Sequence, residues 1–443
     1  MRKFTGHILY CLAVALLLPS CGFKQVDYVD FADIGAAQGM TFRVIGQRET
    51  DLYEGLPHDT YLPDGQNVCD MTETELAPSR TQRQTTSTTS AALIQNMLQY
   101  GNQNRVTEIS GTYPSTDVQG QPIVLSGKVM LPQGKRPKRM IVVSHYTIGS
   151  NAEAPSNCFP LEGVLVKSGY GLIIPDYIGY GVTVDKVHPY LVMDVTARNV
   201  LDMYLAVRPW LKAVGMEPLE NDIYLMGYSQ GGATTMAVQY LIENEYYDDT
   251  DPDYVSIHRV FAGGGPYDVK ATYERFVNSD MTEYPVAVPM VLQGMINGNN
   301  LNIRTTDIMQ QWLYNRMDEW INSKRYTTTQ INKLINTHIT HELLTQEGMD
   351  QKSDNVAELY KAMTENSIVS YDWVPYAPIY MLHSMDDEVV SYTNATNAKS
   401  KWKEANITYN FGHYGGHIKT CLRFIYTVQQ LLIQEEEERK SYE

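Results

Sequence analysis

The feature that most constrains this 443-residue chain is Gly227-Tyr228-Ser229-Gln230-Gly231, set between an apolar run and a helical one. The preceding NDIYLM reads as a strand, and 231–242 reads as a helix. As a string, G-x-S-x-G carries little weight; between a strand and a helix it becomes a turn with a mechanical requirement. Glycine flanks the serine on both sides because so sharp a turn drives any Cβ into neighbouring strands. The strand carries Ser229 to the edge of a sheet, and the helix presents its first N–H groups to developing negative charge. Ser229 is therefore the candidate nucleophile.

The rest of the pattern implies a sheet that is mostly parallel. MIVVSHY (140–146) and YGLIIPDYIGYG (170–181) are short β-branched runs ending in polar or glycine-rich turns, as in strands buried on both faces. Before them, VTEISGTYPS and QPIVLSGKVMLP alternate around a glycine-containing turn and predict a β-hairpin. Residues 194–210 have helical spacing, with Asp194 placed to cap them, and 255–262 reads as a strand. Between about 281 and 370 the β pattern disappears. There Ile308, Met309, Trp312, Leu313, Met317, Trp320 and Ile321 share a helical face, and further helices are expected near 328–346 and 353–366. APIYMLHS and NITYNFG return to strand character, and 417–434 forms a last helix.

Strands alternating with helices make an α/β fold with the helical block as an insertion. The expected organisation is a leader at 1–20, an N-terminal extension or linker at 21–104, and a core at 105–280 and 371–443 interrupted by 281–370. The Ser/Thr/Gln-rich stretch 76–90 reads as linker or surface loop, and EEEERK at 435–440 as a solvated acidic tail.

A chain that is 43% hydrophobic and 19% charged is not a disordered one. Its formal charge of -16 argues against nucleic-acid partners, which require basic surface. At the start, Arg2 and Lys3 precede an apolar run at 8–18 that is too short to span a bilayer and has the layout of an export signal. The run ends in Leu18-Pro19-Ser20-Cys21, which resembles a bacterial lipobox, so Cys21 is the candidate lipidation site. The expected location is the cell envelope, the protein being exported and held on a bacterial membrane by its lipid; an ordinary cleaved signal with a chance cysteine is the alternative. Cys69, Cys158 and Cys421 remain, enough for at most one internal disulfide, and no zinc-binding spacing is present.

A serine hydroxyl stays inert until a base takes its proton, so Ser229 needs a histidine and an acid to orient it. On a sheet of this type the order is serine, acid, histidine. His7 lies in the leader and His58 in the extension; His188 precedes the turn and His258 follows it too soon. His338 and His341 read as a solvent-facing helical surface rather than as metal ligands. His383, His413 and His417 remain. His417 ends the loop FGHYGGH, where Gly415 and Gly416 let the chain swing an imidazole over Ser229; His413 is the rival in the same loop.

Together these residues resemble the α/β-hydrolase superfamily across about 105–434. GYSQGG (227–232), PDYIGYG (175–181), SNC (156–158), AGGGPYDV (262–269) and HSMDDEVVSY (383–392) look like the secretory lipase family within it. The resemblance implies Ser229 as nucleophile, Asp387 as acid and His417 as base. It aligns His383–Ser391 with H-G-x-x-D-x-x-V-P, Ser384 standing for Gly and Ser391 for Pro, which makes His383 a packing residue. Asp386 is the alternative acid, also followed by valine at plus three. For the oxyanion, the resemblance implies the N–H of Gln230 and of Thr147 or Tyr146, the last replacing the superfamily's glycine.

The insertion then corresponds to a lid over an acyl pocket, with Trp312, Met317, Trp320 and the Met290–Met295 region as candidate lining. The implied function is a carboxylic-ester hydrolase, lipase or esterase, working through an acyl-enzyme on a lipid or small ester without metal or cofactor. A serine peptidase, an acetyl or feruloyl carbohydrate esterase, and a non-catalytic binding lipoprotein are the alternatives.

Overall fold

The computed structural model describes residues 41–68, 89–250 and 253–442. Within them one sheet contains β1 (Arg43–Asp51), β2 (Arg105–Thr116), β3 (Pro122–Pro132), β4 (Met140–Ser144), β5 (Gly171–Pro175), β6 (Ile223–Tyr228), β7 (Ile257–Gly263), β8 (Ile379–Ser384) and β9 (Ile407–Gly412). The spatial order is β1-β2-β3-β5-β4-β6-β7-β8-β9. Pairing is antiparallel from β1 through β3 to β5, and parallel from β5 onward to β9. β2 and β3 form the expected hairpin, whose turn is closed by Asp117 Oδ1 accepting the N–H groups of Gln119 and Gln121.

The larger helices are α1 (Ser90–Gln99), α2 (Met193–Ala213), α3 (Gln230–Glu245), α4 (Val269–Ser279), α5 (Ala287–Gly298), α6 (Thr328–Ile335), α7 (Asp354–Glu365), α8 (Thr393–Lys401) and α9 (His417–Tyr442). They cover both faces of the sheet, which is why its central strands read as unbroken apolar runs. Val142, Ile173 and Leu225 pack into the core built with α2 and α3. Their strand neighbours Ile141, Leu172, Tyr224 and Met226 face the opposite core, built with α1 and α9. Helices α4 to α7, with several one-turn helices between them, form a cap inserted between β7 and β8. Among the described residues no helix is long and apolar enough to cross a membrane.

Several expectations need correction. Arg43–Asp51, assigned to the extension, forms β1, and Ser90–Gln99 forms α1 against α9. β1 was hard to read because it is an edge strand with mostly polar, partly exposed side chains. The single helical face proposed for 308–321 is broken into Thr305–Ile308, Gln311–Tyr314 and a wide turn at Asp318–Asn322. Ile308, Met309, Leu313, Met317 and Ile321 are buried there, but Trp312 is 40% exposed. Asp194 is not the cap of α2; Val192 holds that place, and Asp194 accepts the Tyr371 hydroxyl at 3.0 Å. Helices α4 and α8 carried no sequence reading, and the acidic tail is the continuation of α9 to Tyr442. Cys158 and Cys421 are buried free thiols. The leader, Cys21, Cys69 and most of 76–90 lie outside the described residues.

Helix α9 is tied to the opposite end of the sheet through His258. Its Nδ1 lies 2.7 Å from Asp222 Oδ2 and its Nε2 lies 2.5 Å from Glu435 Oε1. With a carboxylate on each ring nitrogen the imidazolium is favoured: the bond to Glu435 raises its pKa, against burial, with Asp222 adding to the rise. A raised pKa contributes stability that is complete below the ordinary imidazole value of about 6.5 and is lost as pH climbs through the folded value. Urea unfolding of wild type and His258→Gln should therefore show a gap near pH 6 that narrows by about pH 9. An equal gap at both pH values would contradict this role for the proton.

Candidate active site

Ser229 occupies the bend between β6 and α3 at φ 57° and ψ -126°, a region that few non-glycine residues adopt. The flanking glycines answer to close approaches. A Cβ on Gly227 would come 2.2 Å from the Gly231 carbonyl, and one on Gly231 would come 1.9 Å from the Ser144 carbonyl of β4. No side chain fits either gap. The bend is fixed by Ser229 N–H donating to the Gly263 carbonyl at 2.9 Å.

Three chain segments converge on that serine at the carboxyl ends of parallel strands, where ligands bind in open α/β sheets. His417, the first residue of α9, has Nε2 2.8 Å from Ser229 Oγ. Its Nδ1 lies 2.7 Å from Asp387 Oδ2, in the turn after β8. Asp387 Oδ1 accepts the N–H groups of Val389 at 3.0 Å and Val390 at 2.7 Å. With Nδ1–H donated to the carboxylate, Nε2 is free to accept the serine proton, which fixes the useful tautomer. Burial alone would push the Asp387 carboxyl up. The charge and hydrogen bond of His417 outweigh it, helped by His383 and the Val390 amide, and hold Asp387 below its ordinary range. The acid thus stays ionised in a site where serine and histidine are only 7% and 5% exposed.

The rivals pair with each other instead. His413 Nδ1 lies 2.7 Å from Asp386 Oδ1 on the surface, where the histidine side chain is 76% exposed. His383 is buried behind Asp387 and donates Nε2–H to the Val390 carbonyl at 2.9 Å. His338 and His341 engage the Thr282 carbonyl and Asp280 separately.

A narrow cleft opens over Ser229 and His417. Tyr146 and Thr147 line it, with Phe276, Ala287, Val291 and Ile418 giving it an apolar character. Of the expected acyl lining, the Met290–Met295 region contributes Val291, joined by Ala287 from the same helix α5, whereas Trp312, Met317, Trp320 and the buried Met290 and Met295 are not part of the lining. Thr147 Oγ1 is hydrogen-bonded to the Tyr190 hydroxyl at 2.8 Å, and the Tyr146 hydroxyl donates to the Tyr61 carbonyl at 3.2 Å. The Gln230 side chain points away from the cleft; its Nε2 donates to His188 Nε2 at 2.9 Å, His188 giving Nδ1–H to the Ile178 carbonyl at 2.8 Å. Burial, then the charge of Lys324, pushes His188 down to about 3, so it stays a neutral acceptor. What Gln230 offers the cleft is its backbone N–H, one of the helix donors without an intrahelical partner.

Sequence reasoning missed the groups that hold the His417 peptide. Its N–H donates to the Glu388 carboxylate at 3.0 Å, and its carbonyl accepts the Tyr228 hydroxyl at 2.9 Å. Each neighbours a residue already singled out, Asp387 and Ser229, and adjacency was the available signal. His188 precedes the Ser229 bend in sequence, and it meets the site through the Gln230 side chain.

Similarity searches agree with this architecture. A family model described as secretory lipase matches residues 160–423. No curated protein matches at a significant level. Among solved structures, the rice cell wall degrading esterase LipA from Xanthomonas oryzae is 19% identical with a TM-score of 0.64, covering 81% of this chain and 98% of its own. A putative hydrolase from Legionella pneumophila is 16% identical with a TM-score of 0.65, over 78% of this chain and 95% of its own. Candida antarctica lipase A is 18% identical with a TM-score of 0.52, over 70% and 73%. At these identities the structures establish the α/β-hydrolase fold, while the sequence model spans more than half of the chain. The chain belongs to the secretory lipase family and is a carboxylic-ester hydrolase.

Proposed function

We propose that this hydrolase works by nucleophilic catalysis with Ser229 as nucleophile, His417 as general base and acid, and Asp387 as the acid that orients the imidazole. The observation that carries the proposal is the unbroken hydrogen-bonded path from Ser229 Oγ through both nitrogens of His417 to Asp387. Ser229 Oγ attacks the ester carbonyl carbon as its proton passes to Nε2. The tetrahedral oxyanion is received by the N–H groups of Gln230 and of Thr147 or Tyr146. Collapse expels the alcohol, which takes the proton back from His417, and leaves the acyl-enzyme. Water activated by the same nitrogen then releases the acid. No step calls for a metal or an organic cofactor.

The apolar walls of the cleft favour fatty-acyl esters over peptides. Cell-wall polysaccharide esters are the second reading, since the Xanthomonas oryzae relative is described as degrading rice cell wall. The lipobox-like Leu18–Cys21 supports export and a lipid anchor on Cys21 in the bacterial envelope. One experiment addresses both halves of the proposal. In cells expressing the full chain, a fluorophosphonate probe should label the wild-type protein in the membrane fraction. Label should vanish in Ser229→Ala and move to the soluble fraction in Cys21→Ala. Undiminished labelling of Ser229→Ala would refute the nucleophile, and Cys21→Ala remaining in the membrane would refute the anchor.

A further inference from the structure

A wall of the cleft comes from the chain that precedes the family-matched residues. Between β1 and α1, residues 60–68 form a tight hairpin. Leu62 N–H donates to the Gln66 carbonyl at 2.8 Å, Gly65 N–H to the Leu62 carbonyl at 2.8 Å, and Val68 N–H to the Thr60 carbonyl at 3.0 Å. Asp64 Oδ1 also accepts the Gln66 N–H at 2.9 Å. Cross-linked this densely, the turn holds one shape. Pro63 is buried and lines the same cleft as Ser229 and His417.

The hairpin is wedged between the two elements that shape that cleft. On the core side, the hydroxyl of Tyr146 donates to the Tyr61 carbonyl at 3.2 Å. On the cap side, the Thr329 hydroxyl of α6 donates to the Asp64 carbonyl. Gly65, at φ +77°, fills the seam so closely that a Cβ would come 2.5 Å from Thr327 Cβ and 3.1 Å from Glu153 Oε1. The root is pinned as well: Phe159 N–H donates to the Asp59 carbonyl at 3.3 Å, and Arg48 pairs with the Asp59 carboxylate at 2.6 Å. A loop free on one side would yield to a longer substrate; a hairpin bonded to core and cap resists it.

We infer that Pro63 is a specificity-determining residue whose ring limits the length and bulk of the acyl group the cleft accepts. The inference rests on the proposed reading of Ser229 as the nucleophile. Proline suits the task, since its ring is rigid and its nitrogen carries no N–H that an apolar wall would leave unsatisfied. Residues 52–68 lie outside the 160–423 span of the family match.

The test is the ratio of kcat/KM for nitrophenyl decanoate over nitrophenyl butyrate in Pro63→Gly and Pro63→Phe. Since one misfitted methylene changes kcat/KM by about 10-fold or more, the ratio should rise about 10-fold in Pro63→Gly and fall about 10-fold in Pro63→Phe. Ratios within about twofold of wild type in both variants overturn the inference. Should neither variant fold, the wild-type protein trapped with a long-chain alkylphosphonate decides the matter by crystallography. An alkyl chain packed against Pro63 supports the inference, and a chain leaving the cleft without touching 61–65 overturns it. A wild-type chain that takes no phosphonate overturns the nucleophile and this inference together, whereas modified Ser229 with unchanged ratios overturns this inference alone.

Discussion

Replacing Ser229 with alanine is expected to lower kcat on nitrophenyl butyrate about 10⁶-fold, and replacing Asp387 with asparagine about 10⁴-fold. The second figure, about 5.5 kcal/mol of barrier, is large for a residue that never touches substrate. Asparagine at 387 keeps the shape but lets its amide donate toward His417 Nδ1. The imidazole then carries its proton on Nε2, facing Ser229, where it can no longer accept the hydroxyl proton. The amide also lacks the charge that stabilises the imidazolium once the proton has moved. Asp386→Asn is the control, because that carboxylate pairs with His413 on the surface. It should leave kcat/KM within about twofold of wild type, as expected for an exposed ion pair. An equal loss in the two variants would move the acid to Asp386 or make the whole acidic turn the active unit.

Those two aspartates show how far sequence goes. The bend at Ser229 was legible because its demands are local: a strand, two glycines without room for a Cβ, and a helix, all within a continuous stretch. The glycines before His417 were legible for the same reason. Choosing between Asp386 and Asp387 is not a local question. Both stand in one turn, both are followed by valine at plus three, and only the direction in which β8 ends sends one inward to His417 and the other out to His413. The central strands were read correctly because burial on both faces makes them continuously apolar. β1 failed that filter, being an edge strand stabilised by charge: Arg48 and Thr50 reach Glu108 on β2, a contact between residues about sixty positions apart. The cap was recognised as helical but not resolved into its short pieces, because its apolar residues keep helical spacing across breaks at Met309 and Asn315. Pro63 was invisible for a simpler reason, since a proline in a polar turn gives no sign that the turn folds back over a distant site.

The charged joint between β1, β2 and β3 yields the largest stability effect. Glu108 is buried, accepting Arg48 Nε at 2.7 Å and Nη2 at 2.9 Å, Lys128 Nζ at 2.5 Å, and the Thr50 hydroxyl. Lys128 is also buried and donates in addition to the Cys158 carbonyl. Burial would raise the Glu108 carboxyl; Lys128, then Arg48, outweigh it and hold the group below its ordinary range. Such a cluster adds little compared with a well-packed apolar core, but losing one member leaves a buried charge without compensation. Glu108→Gln, which strands the Lys128 ammonium, is expected to cost about 3–5 kcal/mol in urea unfolding near pH 7. Adding Lys128→Met should recover most of that loss, because the orphaned charge is gone and the methionine keeps the volume. Since the folded carboxyl lies below its unfolded value, its contribution is complete above about pH 4.5 and disappears as pH falls through the folded value. The wild-type advantage over Glu108→Gln should therefore shrink on acidification. Equal stability of wild type and Glu108→Gln near neutral pH would show that water reaches the cluster. A double variant no more stable than the single one would show that the charges align β1, and with it the hairpin carrying Pro63, in a way that packing alone does not.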